Sequence, residues 1–230
     1  MKALAVDSAS QTLTVAVQNE NAFFQTTLEM GLSQSEKLLP VIDNALKEIR
    51  LTPDQLDFTA VTLGPGSFTG LRLGLATLKA LTLSNGTPLY GINSLEAYAF
   101  PYRNFKGAVL SLVESKDREF FYTVYKNAKS CNEIQASTAE EVLEAVKDED
   151  SVIAVGPGAK KLKALTQAES LATENILFVE PAFTDGRALL CLAEEMIEQK
   201  KPALQDYDGP VYYKRSEAEI VLEAKSAKST

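Results

Sequence analysis

Ala60-Val61-Thr62-Leu63-Gly64-Pro65-Gly66-Ser67-Phe68-Thr69-Gly70-Leu71 is the stretch that decides the fold, because it returns in shortened form as Val152-Ile153-Ala154-Val155-Gly156-Pro157-Gly158. In both places an apolar run of strand length meets a Gly-Pro-Gly break, and a helical pattern follows. Outward from the first copy, three β-branched or aromatic runs precede it, at 2–7, 13–18 and 23–28. An amphipathic helix over 35–50 and a Thr52-Pro53 cap come next. Beyond it lie a helix over 71–84 closed by Asn85-Gly86, a strand at 89–92, and a helix from Ser94 through Phe100. Around the second copy the order repeats. Strands are predicted at 107–113 and 120–126, with a weaker third near Ile134, and Thr138-x-x-Glu141 is a capping box opening a helix to Lys147. A strand at 151–155, the break, a helix, a strand at 176–179 and a helix from Asp185 to about Gln199 complete the half.

Each half is thus three strands, helix, strand, Gly-Pro-Gly break, helix, strand, helix. The expectation is an α/β protein of two tandem copies of one unit, 1–103 and 104–230, with the seam at 101–106 and the tail 214–230 packing back on the first lobe. By analogy this is the plan of two ribonuclease H-like units in the actin-like ATPase (ASKHA) fold.

The 230 residues include 31 acidic and 23 basic side chains, a net charge of −8, and no histidine. Ser-His-Asp and Cys-His catalysis, His-x-x-x-His zinc sites and a histidine general base are therefore excluded within this chain. Cys131 and Cys191 form no Cys-x-x-Cys pair and read as reduced thiols of a cytoplasmic protein. Asp7 ends the first apolar run short of signal-peptide length, and the most apolar stretch, 71–83, contains Arg72 and Lys79 and is too short to span a bilayer. The acidic balance is the wrong sign for a protein that grips nucleic acid alone, so any RNA is expected to be held through another subunit.

Three segments carry candidate chemistry. Asp7-Ser8-Ala9-Ser10, at the end of the first strand, reads either as an Asx-type turn or as a carboxylate and hydroxyl hairpin placed for Mg²⁺-bound water and phosphate. Gly66 and Ser67 belong to a turn in which Ser67 or Thr69 caps the following helix. That turn is as compatible with a structural role as with an anion docked on the helix N-terminus. The second-half counterpart of the hairpin, Glu114-Ser115-Lys116-Asp117-Arg118-Glu119, has no glycine, and no Gly-x-x-x-x-Gly-Lys-Ser/Thr occurs, which lowers the prior for ATP turnover. The helix over 71–84 is apolar nearly all round, broken only by Arg72 and Lys79, so it has surface for two partners. The second partner is either another part of this chain or another molecule, and Gly70 and Gly74, one turn apart, would admit a close helix. In the tail, Pro210-Val211-Tyr212-Tyr213 precedes two cations, a pattern of an aromatic strand or an RNA contact.

Taken together, Leu4 to Ser10, Gly64 to Gly74, Gly91-Ile92-Asn93-Ser94-Leu95 and Pro210-Val211-Tyr212 resemble the bacterial TsaB (YeaZ) family over nearly the whole chain, the Gly-Pro-Gly-Ser-Phe-Thr-Gly stretch being the specific element. The resemblance implies a non-catalytic paralogue of TsaD, the transferase subunit that forms N6-threonylcarbamoyladenosine at position 37 of tRNA. TsaD holds a metal through a His-x-x-x-His helix that has no counterpart here. It further implies a heterodimer with TsaD through Leu38, Leu39, Ile42, Gly70, Leu71, Gly74, Leu75 and Leu78, with TsaE joining as an ATPase. A homodimer in isolation, tRNA contact only through the complex, and no intrinsic cofactor, with any ATP or ADP and Mg at the complex interface, complete the expectation. Asp7, Ser8, Ser10, Gly66 and Ser67 are the nucleotide or anion candidates, and the alternative function is a small-molecule kinase or ATPase. Glu114-Ser115-Lys116 departs from the family's usual Asp-Ala-Arg.

Overall fold

The computed structural model describes residues 1–29, 34–116, 118–180 and 183–213. The first half forms β1 (Ala3–Asp7), β2 (Thr12–Gln18), β3 (Phe23–Glu29), α1 (Gln34–Glu48), β4 (Phe58–Gly64), α2 (Phe68–Leu83), β5 (Leu89–Asn93) and α3 (Ser94–Ala99). Its strands lie in the order β3-β2-β1-β4-β5, antiparallel through the meander and parallel across β1, β4 and β5. Every residue of β1 and β4 is buried, as an apolar run in a sheet covered on both faces requires.

The second half repeats the plan with β6 (Ala108–Glu114), β7 (Glu119–Lys126), β8 (Lys129–Ser130), β9 (Gln135–Thr138), α4 (Ala139–Glu144), β10 (Val152–Val155), α5 (Ala159–Glu169), β11 (Ile176–Phe178) and α6 (Gly186–Glu198). The order β11-β10-β6-β7 mirrors the first sheet, and β8 and β9 share the far edge of β7. The strand expected near Ile134 is split. Between its two pieces, the Asn132 carboxamide accepts the Val124 N–H at 2.8 Å and so takes over one ladder bond of β7. The capping box forms as expected, Thr138 N–H donating to Glu141 and Glu141 N–H to the Thr138 hydroxyl, but regular α-helix stops at Glu144, short of Lys147. The architecture is the tandem ribonuclease H-like arrangement of actin-like proteins.

The helices make five layers of the two sheets. The outer layers are α1 with α2, whose Leu38, Ile42, Leu75 and Leu78 cover the first sheet, and α4 with α5, whose Val142 and Leu162 cover the second. Between the sheets lie α3 and α6. Leu189, Leu190 and Leu192 of α6 pack on Phe58, Tyr90 and Ile92 of the first sheet, while Leu95, Tyr98 and Ala99 of α3 pack with Val109, Val113 and Ile153 of the second. A cut at 103/104 separates the sheets, yet each half lends its last helix to the other. Among the described residues no helix is long and apolar enough to cross a membrane.

After α6 the chain returns to the first lobe. Leu204 N–H donates to the Leu89 carbonyl and Val211 N–H to the Leu63 carbonyl, both at 2.8 Å. The Lys79 ammonium on α2 donates to the carbonyls of Gln205, Asp206 and Asp208 at 2.9, 2.8 and 2.6 Å, using all three of its protons. Tyr212 stacks on Phe68 at 5.1 Å, its hydroxyl accepting from Arg72. The expectation of a tail on the first lobe concerned 214–230, which lie outside the described residues; the return is made by 203–213. Lys79→Met should cost about 1–2 kcal/mol, the net value of a few partly exposed charge-assisted bonds. Hydrogen exchange at Leu204 and Val211 should accelerate while that of β1 and β4 stays unchanged. Equal acceleration at all four places would mean the clasp is not local.

Candidate functional site

The five residues singled out for nucleotide or anion binding come together where the β1–β2 hairpin meets the β4–α2 turn. The hairpin is small because the turn needs the space. A Cβ on Gly66 would lie 2.4 Å from the Ala9 carbonyl oxygen, and one on Gly70 would lie 1.9 Å from that of Ser8. Backbone contact takes the place of side chains. Ser67 N–H donates to the Ala9 carbonyl at 2.6 Å, the Ser8 hydroxyl donates to the Gly70 carbonyl at 2.8 Å, and the Ser67 hydroxyl accepts the Gly70 N–H at 3.3 Å as the N-cap of α2. Ser10 turns back on Thr12, hydroxyl to hydroxyl at 2.8 Å.

Asp7 is wholly buried at the centre of this junction. One carboxyl oxygen accepts the Ala9 N–H at 2.8 Å and the Thr62 hydroxyl at 2.7 Å. The other accepts the Thr184 hydroxyl and, at 3.4 Å, that of Tyr98. Four donors from β4, α3, the hairpin and the segment before α6 converge on one side chain. Burial, and after it the charge of Asp7, push the Tyr98 hydroxyl well above the usual tyrosine range, so it stays a donor. Thr62, Tyr98 and Thr184 were not among the sequence candidates. Nothing local marks them: they stand 55, 91 and 177 positions from Asp7.

The nucleotide and Mg²⁺ that an actin-like fold implies do not fit these residues. Both oxygens of Asp7 are engaged inside the protein, and the backbone surface that would face phosphates is packed against Gly66 and Gly70. Among the described residues no three His, Cys, Asp or Glu side chains gather as a metal-holding group. In the second half, Ser115 N–H donates to the Glu119 carbonyl at 2.8 Å and Glu119 N–H to that of Lys116 at 3.1 Å, closing a tight turn. Lys161 of α5 pairs with Glu114 at 3.1 Å.

The predicted pairing surface is redrawn by burial. Leu38, Ile42, Gly70, Leu71, Gly74, Leu75 and Leu78 are buried in this chain, and of the eight residues only Leu39, 59% exposed, faces outward. The periodicity showed that α2 is apolar nearly all round, broken only by Arg72 and Lys79, but not which side the sheet would take. The sheet takes the side with Leu71, Leu75 and Leu78, so the free side carries Ala76, Ala80 and Leu83, with Arg72 and Lys79 along one edge and Leu73 half-buried along the other. Their 3, 4, 3 spacing makes one stripe.

A protein-family model described as TsaD, tRNA N6-adenosine threonylcarbamoyltransferase, matches residues 32–221. The tRNA threonylcarbamoyladenosine biosynthesis protein TsaB of Bacillus subtilis is 27% identical over 127 residues, 55% of this chain and 56% of that protein. The TsaB of Escherichia coli is 24% identical over 229 residues, 95% of this chain and 96% of that one. The solved structure of YeaZ from Pseudomonas aeruginosa overlays with a TM-score of 0.77 at 18% identity, covering 92% of this chain and 99% of that chain, which establishes a shared fold. The chain belongs to the TsaD family of tRNA N6-adenosine threonylcarbamoyltransferase proteins, among its TsaB (YeaZ) members.

Proposed function

We propose that this chain is a non-catalytic subunit of the tRNA N6-threonylcarbamoyladenosine transferase of the cytoplasm, pairing with a TsaD protein and activating it. The observation that supports this best is the contrast between its two surfaces. Asp7, where an actin-like enzyme would work, is sealed by the chain's own donors. On α2 a stripe of Ala76, Ala80 and Leu83 faces outward, and Leu39 of α1 is likewise exposed. An apolar helix face left uncovered is the mark of a protein interface. In this reading TsaD covers the stripe, a second copy of the chain covers it when TsaD is absent, and TsaE joins the pair. Any ATP or ADP and Mg sit at the joint rather than on Asp7, and tRNA is held by the complex, as the net charge of −8 favours.

The test is co-purification with the TsaD of the same organism. Ala76→Glu places a charge in the contact and should weaken pairing about thirtyfold or more, roughly 2 kcal/mol, without altering thermal unfolding of the chain at dilutions where it is monomeric. Leu75→Glu would be a poor probe, since Leu75 is 5% exposed and the variant would damage the core. Pairing unaffected by Ala76→Glu, or ATP turnover by the chain alone, would sink the reading.

A further inference from the structure

A second concavity lies away from Asp7, where the middle layer meets the second sheet. It offers about 60 Å³, space for several water molecules or a short organic group. Phe100 and Phe105 from the linker after α3, Tyr125 of β7, Glu96 of α3, Glu195 of α6 and Arg103 stand around it.

Its charges fall into two sets. On one wall the Arg103 guanidinium donates to Glu195 at 2.6 Å and lies 4.2 Å over the Phe100 ring, a cation held between a carboxylate and an aromatic face. Glu96 and the Tyr125 and Phe105 rings, also in the lining, bring a second carboxylate and aromatic surface with no paired cation among them. Glu96 is exposed at the mouth, and among the described residues no hydrogen bond or contact ion pair engages its carboxylate. Partial burial of its carboxyl raises its pKa above the usual carboxylate value, Lys201 opposing this through space and Glu195 adding to it. Burial, followed by the nearby Glu96 charge, holds the Tyr125 hydroxyl protonated, so Tyr125 lines the pocket as a neutral group.

We propose that this pocket binds an alkylammonium group, the ammonium pairing with Glu96 and the alkyl body lying between the Tyr125 and Phe105 rings. The chemistry is that of an organic amine, supplied either by a free diamine or by a lysine side chain. An anion is disfavoured because Arg103, the pocket's cation, is already paired with Glu195.

Titration of the whole chain with n-butylammonium, followed by the aromatic NMR shifts of Tyr125 and Phe105, should show saturable binding. Glu96→Gln should weaken it about fivefold or more, and Lys201→Gln, which removes the competing ammonium, should tighten it by a similar factor. General damage to the fold cannot move the two variants in opposite directions. Butyrate should shift nothing. Putrescine binding more tightly than Nα-acetyl-lysine methylamide identifies a free diamine as the source, and the reverse identifies a lysine side chain. Shifts that never saturate, butyrate moving the same resonances equally, or Glu96→Gln binding n-butylammonium as the native chain does would each overturn the proposal.

Discussion

Asp7→Ala is expected to cost about 3–5 kcal/mol of folding stability, because it strips an acceptor from four buried donors at once. The Ala9 N–H and the hydroxyls of Thr62, Thr184 and Tyr98 have no water at this depth to turn to. For a chain of this length the loss corresponds to about 10 °C in melting temperature. Asp7→Asn keeps the shape and one acceptor oxygen, and hydroxyls can rotate to accept from its amide, so it should recover a good part of the loss. Thr62→Val, which removes one donor and leaves the carboxyl three partners, should cost only about 1 kcal/mol. Chemical denaturation of the three variants checks the order. Should Asp7→Ala unfold within about 1 kcal/mol of the native chain, the convergence of donors is not what holds this junction. The experiment also bears on how activity data are read. Loss of function in Asp7→Ala is no sign of an Asp7-centred enzyme unless Asp7→Asn, with the fold largely restored, loses it equally.

The duplication was legible because it is written in local chemistry. Each Gly-Pro-Gly break ends a buried strand, and each anchors a backbone N–H on the chain of the first strand of its own half, one residue apart in the motif. Ser67 N–H donates to the Ala9 carbonyl at 2.6 Å, and Gly158 N–H donates to the Leu112 carbonyl at 3.0 Å. The clustering of Asp7, Ser8, Ser10, Gly66 and Ser67 was equally readable, since small residues on two segments imply close approach. What closes the cluster was not. Thr184 comes from the other half of the chain, and Tyr98 reaches Asp7 because α3 packs between the sheets, a placement no single segment encodes. The reading of α2 meets the same limit. Periodicity identifies which side chains are apolar, but burial is a competition between faces, and here the face with three leucines is taken by the sheet, leaving an alanine-rich stripe exposed. Only the assembled sheet decides such a contest.

Gly70→Ala is the smallest change expected to have a comparably large effect. A methyl group at that position would sit 1.9 Å from the Ser8 carbonyl oxygen, and the obstacle is backbone in the hairpin that Asp7 holds, not the end of a side chain that can swing away. Either the first turn of α2 lifts from the hairpin or the hairpin shifts, and both break the Ser8 hydroxyl bond to the Gly70 carbonyl and the Ser67 bond to Ala9. Overpacking of this kind costs roughly 1–3 kcal/mol in a yielding core and more where backbone must move, so about 3 kcal/mol or more is expected in denaturant unfolding. Gly209→Ala is the control. A Cβ there meets nothing within 4 Å, and the backbone needs no left-handed conformation, so its effect should stay within about 0.5 kcal/mol of zero. Because α2 also carries the outward stripe, a lifted first turn should weaken the proposed pairing with TsaD even in molecules that remain folded. If Gly70→Ala pairs normally at a temperature where it is fully folded, the stripe does not depend on how α2 is seated. The contact between hairpin and helix is then structural only, and Asp7, for all its buried bonds, has no influence on the partner surface.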